Sequence, residues 1–351
     1  MKRLVVAGLA PAIVLLALLS ACGKKSNPTA PVVTPTGPTV YVSGYHQIAG
    51  RNVPCYWKNG VRVDLRGDVL HPAVANGMAV SNGAAYCGGW YNDGSKRIPC
   101  FWRDTVRTDL PALGTNPTVY GIAVAGGAVY CVGYVDSGAI RLPTRWDGAL
   151  RRRLQVDSAA NAMVTAVTTY NGVPYCAGYS SVSYAEPCYW VDTVRHILSR
   201  STVNNAYAYA VAVSNGVVYC GGNYRPSGGQ IAPCYWQDTV LCSLPTNGTN
   251  DGEVYGICVS GGTVYAGGYV SDGVTGTACY WEGTTRHDLP CSTGTDNSVM
   301  AVCAYSGTVY FAGYTSVGSE YIPCYWVSGV RHDLVIDSTS TYGIASGIVV
   351  Q

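Results

Sequence analysis

One thirteen-residue phrase dominates this chain. "VPCYWKNGVRVDL" at Val53–Leu65 returns as "IPCFWRDTVRTDL" from Ile98 and as "IPCYWVSGVRHDL" from Ile322. The tryptophan of the phrase falls at Trp57, Trp102, Trp146, Trp190, Trp236, Trp281 and Trp326, in steps of 45, 44, 44, 46, 45 and 45 residues. A second anchor, the tyrosine of a "VYxxGY"-like segment, falls at Tyr41, Tyr86, Tyr130, Tyr175, Tyr219, Tyr265 and Tyr310. Seven copies of one unit, each too short to bury a core of its own, have to fold by stacking on one another.

Four short apolar segments alternate with turn signals in every copy. In the fifth they are "YAVAVS" (209–214), "VVYCGGN" (217–223), "APCYWQ" (232–237) and "VLCSL" (240–244), named strands A to D below. Pairs such as Asn82-Gly83 and Asn215-Gly216 between A and B predict two-residue hairpin turns, and Asn59-Gly60 between C and D does the same. Four-stranded units on a period of roughly 45 residues predict an all-β chain, a β-propeller, and seven copies predict seven blades. The ring begins on a strand B ("VYVSGY", 40–45) and ends on a strand A ("YGIASGIVV", 342–350). The last strand is therefore expected to complete the first blade and to remove the free edges of an open array.

The repeat, written "YW..GVR.DL.......A.GIAVS.G.VY..GY", resembles the bacterial extracellular repeat called HAF, whose copies run through a Trp, a turn, an Asp-Leu pair and a Gly-Tyr. The likeness covers all seven copies. It departs where the His-Ala-Phe triplet should stand, since this chain has Pro-Cys-Tyr there. The resemblance implies an extracellular repeat architecture and brings no defined activity with it.

Met1-Lys2-Arg3, the apolar run Leu4–Leu19 and the small residues before Cys22 have the order of a secretory signal. Leu19-Ser20-Ala21-Cys22 resembles a bacterial lipobox, with Cys22 as the lipidated residue. The expected organisation is a signal over 1–21, a lipidated Cys22 with a Pro/Thr-rich tether over 22–39, and the propeller over 40–351. Such a tether reaches roughly 50 Å when extended. The expected location is the bacterial cell envelope, lipid-anchored, on the outer membrane in preference to the inner because Gly23 stands where a retention signal has Asp. Charged residues make up 12% of the chain, and without Lys2 and Arg3 the formal charge of +2 falls to about zero. Nothing there attracts nucleic acid, and the domain is expected to be a monomer.

Strand alternation puts Cys55 and Trp57 on one blade face and Tyr56 on the other. Both faces are covered in a propeller, so the Cys-Tyr-Trp triple reads as packing. Its cysteine recurs in six copies (Cys55, Cys100, Cys188, Cys234, Cys279, Cys324), whereas a nucleophile or ligand is expected once. Strand B carries Cys87, Cys131, Cys176 and Cys220. A turn centred on Asp93-Gly94 would set Cys87 opposite Cys100, and the same reading pairs Cys176 with Cys188 and Cys220 with Cys234 as candidate disulfides that an exported protein allows. It sets Cys131 opposite Thr144.

Long, differing loops join B to C and D to A at one end of the ring, and two-residue turns occupy the other. Variation on a fixed scaffold is where binding resides. Aromatic residues gather there: Tyr45, Trp90, Tyr134, Tyr179, Tyr224, Tyr269 and Tyr314 at the ends of strands B, and Tyr120, Tyr209, Tyr255 and Tyr342 at the starts of strands A. The channel strands, read from those tyrosines onward, contain no Asp, Glu, His, Lys or Arg, and offer Cys258 and Cys303 singly. No metal or cofactor is expected. His46 reads as a loop residue, and His196, His287 and His332 as a solvated outer edge. The expected function is non-catalytic binding or scaffolding of a protein or glycan partner. The alternative is an exported polysaccharide hydrolase or lyase using rim carboxylates such as Asp93, Asp136, Glu186, Asp272 and Glu320, since acid–base work needs titratable groups.

Overall fold

Seven four-stranded antiparallel sheets make up the protein, and their strand order is the one the repeat demands. The structure, a computed structural model, describes residues 37–351 except 66, 68, 69, 113, 158–160, 201–203, 228, 247, 249 and 250. The signal segment, Cys22 and most of the tether lie outside the described residues. Among those described there are 28 strands and no helix. The chain is a seven-bladed β-propeller. Blade 1 is closed by the two ends of the chain: Gly343–Val350 supplies its inner strand A beside Val40–Ile48. Thr39 and Gln351 exchange two backbone hydrogen bonds at 2.7 and 3.1 Å just outside that pair.

The repeated tryptophan is a latch between blades. All seven indoles are completely buried. Trp146, Trp190, Trp236, Trp281 and Trp326 each donate their indole N–H to a backbone carbonyl just past strand D of the preceding blade, at 2.7–2.9 Å. Trp57 donates to Val335 O at 2.7 Å, so the same bond joins blade 1 to blade 7. A buried indole N–H needs a partner, and here the partner lies in the neighbouring repeat. The leucine that ends the phrase is buried in every blade, as at Leu65 and Leu198, and bonds back to strand C through Leu65 N to Pro54 O and Leu198 N to Pro187 O.

Each strand A carries a β-bulge, a register shift against strand B that falls between Ala75 and Gly77, Ala208 and Ala210, or Val254 and Gly256. The strand-B glycine of the Gly-Tyr pair follows from it. A Cβ on Gly89, Gly222 or Gly268 would collide with the carbonyl oxygens of Val74, Tyr207 and Glu253 on the bulged strand. Opposite that glycine stands the strand-C cysteine: Gly89 faces Cys100 and Gly268 faces Cys279.

This register corrects the disulfide expectation. Cys87 faces Trp102, Cys176 faces Trp190, Cys220 faces Trp236 and Cys131 faces Trp146, whereas Cys100, Cys188 and Cys234 face Gly89, Gly178 and Gly222. The expected pairs Cys87–Cys100, Cys176–Cys188 and Cys220–Cys234 are two positions out of register, and all six cysteines are free thiols. In blade 2 the reason is the turn. Asp93 accepts the backbone N–H of Ser95 and Lys96, which moves the centre one residue on and the register two. Burial pushes the Cys100 and Cys188 thiols well above their ordinary range, which suits inert packing better than nucleophilic work.

Candidate functional site at the channel mouth

The seven bulges have a common product. Each inserts one extra residue into strand A, and those residues (Asn76, Tyr120, Thr165, Tyr209, Tyr255, Met300, Ser346) all line the central channel, a cavity of about 200 Å³. Bulges re-aim side chains. Here they turn one residue per blade towards the axis.

The tyrosines expected at the rim are brought together in three runs. Tyr179, Tyr207, Tyr209, Tyr255 and Tyr269 form a continuous series with ring centroids 4.8, 6.0, 5.4 and 6.1 Å apart. Tyr314, Tyr321, Tyr342 and Tyr45 form a second, at 5.2, 4.7 and 6.2 Å. Tyr120 and Tyr134 form the third, at 6.1 Å. Trp90 and Tyr134 are not bare faces, because the Arg97 and Arg141 guanidinium groups lie 3.9 and 4.9 Å from their centroids.

One of the expected rim residues stands elsewhere, and another reaches the rim from a different place in its strand. In blade 5 the place after the bulge-facing glycine Gly222 belongs to Asn223. Tyr224 is one residue further on, so it points to the opposite face and its hydroxyl pairs with Ser243 Oγ of the outer strand at 2.9 Å. Tyr342 precedes its strand and is four residues before the bulge residue Ser346, so it is not the counterpart of Tyr120, Tyr209 and Tyr255.

A larger correction concerns charge. Strand A of blade 6 runs Asp251–Ser260 and so contains Asp251 and Glu253, against the expectation of channel strands free of Asp and Glu. Glu253 is the chemical centre of the mouth. Its carboxylate accepts Asn223 Nδ2 at 2.8 Å and the Tyr269 hydroxyl at 3.1 Å, with the Tyr255 and Tyr209 hydroxyls close by. Every one of these partners is neutral. Burial raises the Glu253 carboxyl above the ordinary range against the pull of these polar neighbours. The same setting pushes the Tyr209, Tyr255 and Tyr269 hydroxyls far up, burial first, so they stay protonated and donate. In blade 7, Asp296 accepts the Tyr314 hydroxyl at 3.1 Å and the Tyr321 hydroxyl at 2.5 Å.

The raised Glu253 pKa fixes a stability prediction. Folding favours the protonated form, so this contribution is present at low pH and is lost as pH rises through the folded-state value. Glu253→Gln is therefore expected to melt higher than the parent at neutral pH. The gap should close as pH falls below about 4, the ordinary glutamate range. Thermal melts of both chains from about pH 3 to about pH 8 check this, and a variant that melts lower at neutral pH contradicts it.

The loop carboxylates proposed for acid–base work mostly serve local structure. Asp93 and Asp272 accept backbone N–H groups of their own loops, Glu186 pairs with Arg200 at 3.2 Å, and Asp136 lies 3.8 Å from Arg141. His196, His287 and His332 stack on Tyr189, Tyr280 and Tyr325 at 4.7–4.8 Å.

No protein-family model matches the chain, and no curated protein matches it. Solved structures match it in shape. The β-propeller domain of the Trilobed protease from Pyrococcus furiosus gives a TM-score of 0.52 at 11% identity, over 85% of this chain and 94% of that one. A puromycin-hydrolyzing peptidase from Mycobacterium tuberculosis gives 0.50 at 9% identity, over 84% of this chain and 53% of that one. The extracellular domain of a B. thetaiotaomicron protein named as a hybrid two-component system gives 0.41 at 12% identity, over 79% of this chain, which spans 37% of that protein's length. At 9–11% identity the first two carry the propeller fold and no activity.

Proposed function

We propose that this chain is a non-catalytic binding protein of the cell envelope, tethered through Cys22, whose channel mouth receives a positively charged group of its ligand. The observation that supports it is Glu253: a largely buried carboxylate among tyrosine rings, with hydrogen-bond partners that are all neutral. A buried charge is costly unless paired, and among the described residues no Lys, Arg or His forms an ion pair with this one. A ligand cation supplies the missing charge while the ring faces add cation–π attraction.

In this reading the same geometry favours a protein partner over a glycan. A carboxylate offers about four lone-pair directions; Asn223 and Tyr269 occupy two, and the Tyr255 and Tyr209 hydroxyls crowd the others. A sugar hydroxyl has to compete with these donors. An ammonium or guanidinium group, the kind a protein side chain presents, acts through its field and needs no free lone pair.

Calorimetric titration of the purified chain with tetramethylammonium and lysine methyl ester, against neutral isosteres, tests this. The cations are expected to bind and the neutral analogues not. Glu253→Gln should weaken cation binding by about tenfold or more, a loss of roughly 1.4 kcal/mol. Binding should also weaken as pH falls through the raised Glu253 pKa. Capture of a neutral glycan on an array, unchanged by Glu253→Gln, overturns the cation reading.

A further inference from the structure

Blade 1 differs from its six siblings at one place on its outer half. His46, read from the sequence as a loop residue, lies within strand B (Val40–Ile48) and is completely buried. Cys55 on strand C, also completely buried, faces Asp64 on strand D, whose side chain is about half exposed. The ligand-type atoms of His46, Cys55 and Asp64 all lie within 4.8 Å of one another. His46 Nε2 stands 3.4 Å from Asp64 Oδ1, a long and poorly aligned contact, and the buried Nδ1 has no hydrogen-bond partner.

The sibling blades show what the place looks like when it is merely structural. Blades 2, 6 and 7 repeat the facing Cys–Asp pair as Cys100 with Asp109, Cys279 with Asp288 and Cys324 with Asp333. The third position, two residues past the strand-B glycine, is Tyr91, Val270 or Thr315 there. Tyr91 satisfies itself by donating its hydroxyl to Asp109 at 3.0 Å. Blade 1 alone completes the pair with an imidazole, and that buried imidazole keeps one ring nitrogen with no partner at all.

We propose that His46, Cys55 and Asp64 form a binding site for one zinc-type divalent ion. One imidazole nitrogen, one thiolate and one carboxylate oxygen are a mixed donor set that Zn²⁺ accepts, with water as the fourth ligand. The ion binds the neutral imidazole and displaces the Cys55 thiol proton, which leaves to solvent. Asp64, open to solvent, is the way in. Arg62 holds Asp64 Oδ1 at 2.9 Å, and a carboxylate has lone pairs enough to keep that contact while binding metal.

The test uses the purified full-length chain, kept reduced without added thiols and stripped of metal by a chelator. Titration with Co²⁺ is expected to give, at one equivalent, a thiolate-to-cobalt charge-transfer band and the visible bands of a tetrahedral site. Zn²⁺ should displace the Co²⁺ and raise the melting temperature. Two variants borrow sibling residues to protect the fold: His46→Tyr copies Tyr91, and Cys55→Thr copies Thr144 of blade 3. Each should weaken Zn²⁺ binding by more than about 100-fold, while Cys100→Thr leaves it unchanged. A folded parent chain with no cobalt band, or a band that survives in either folded variant, overturns the site.

Discussion

Deleting Gly343–Gln351 is expected to abolish cooperative folding and to convert the protein into oligomers. The strand removed is the inner strand of blade 1, paired with Val40–Ile48 from Val40↔Val350 to His46↔Gly343. Ile344, Ala345, Ile348 and Val350 are all buried on it. Burial of three large aliphatic side chains at about 1.5–3 kcal/mol each is comparable with the entire 5–15 kcal/mol by which domains are stable. The loss is not local. Blade 1 keeps Trp57 bonded to Val335 but exposes the free edge of Val40–Ile48, and an unpaired edge is a template for other chains. Near-UV circular dichroism through a thermal melt and light scattering after gel filtration decide the matter. A truncated chain that runs as a monomer and melts within a few degrees of the parent sinks ring closure by the two termini. Deleting Gln351 alone, which removes its two bonds to Thr39, should cost far less.

Much of this fold was legible because a propeller writes itself seven times. A Trp every 44–46 residues and two-residue turns with left-handed residues, such as Asn59 at φ 50° and Gly60 at φ 79°, fix the blades before any contact is known. The site was legible only in outline, and the bulge is the physical reason. Reading by alternation starts strand A of blade 6 at Tyr255, since the residue inserted there breaks the period of two. The strand in fact starts at Asp251, and the part-buried Glu253 carboxylate lies in the part that such a reading leaves as loop. Tyr224 went wrong through a related ambiguity: "GGNY" and "GGY" align by their tyrosines as strings but by their glycines in space. The signal that finds the right register is the glycine itself, because only its missing Cβ lets the bulged carbonyl pass. His46 was missed for a plainer reason. Strand B of blade 1 continues to Ile48, past the Gly-Tyr pair at which it was ended.

That glycine also separates scaffold from site in the second large effect expected. In Gly268→Ala the new Cβ would meet the Glu253 carbonyl, with Val254 Cα 3.0 Å away. Both obstacles are backbone in a paired strand, so no rotamer change relieves them. The cost should reach about 3 kcal/mol, and the melting temperature should fall by roughly 5–10 °C. Gly127→Ala is the control for conformation without collision. Gly127 sits at φ +82° with nothing within 4 Å of its Cβ, so only the left-handed backbone penalty applies, about 1 kcal/mol. Gly89→Ala is the control for collision without the carboxylate, since its Cβ meets Val74 O across blade 2. It should destabilise as much as Gly268→Ala. The two part company in binding. Displacing the Glu253 backbone moves its carboxylate off Asn223 and Tyr269, so folded Gly268→Ala should bind tetramethylammonium about tenfold more weakly. Folded Gly89→Ala should bind it as the parent does. If both variants lose affinity alike, the loss reports a softened ring, and the placement of Glu253 on its bulged strand is not what makes the mouth a cation site.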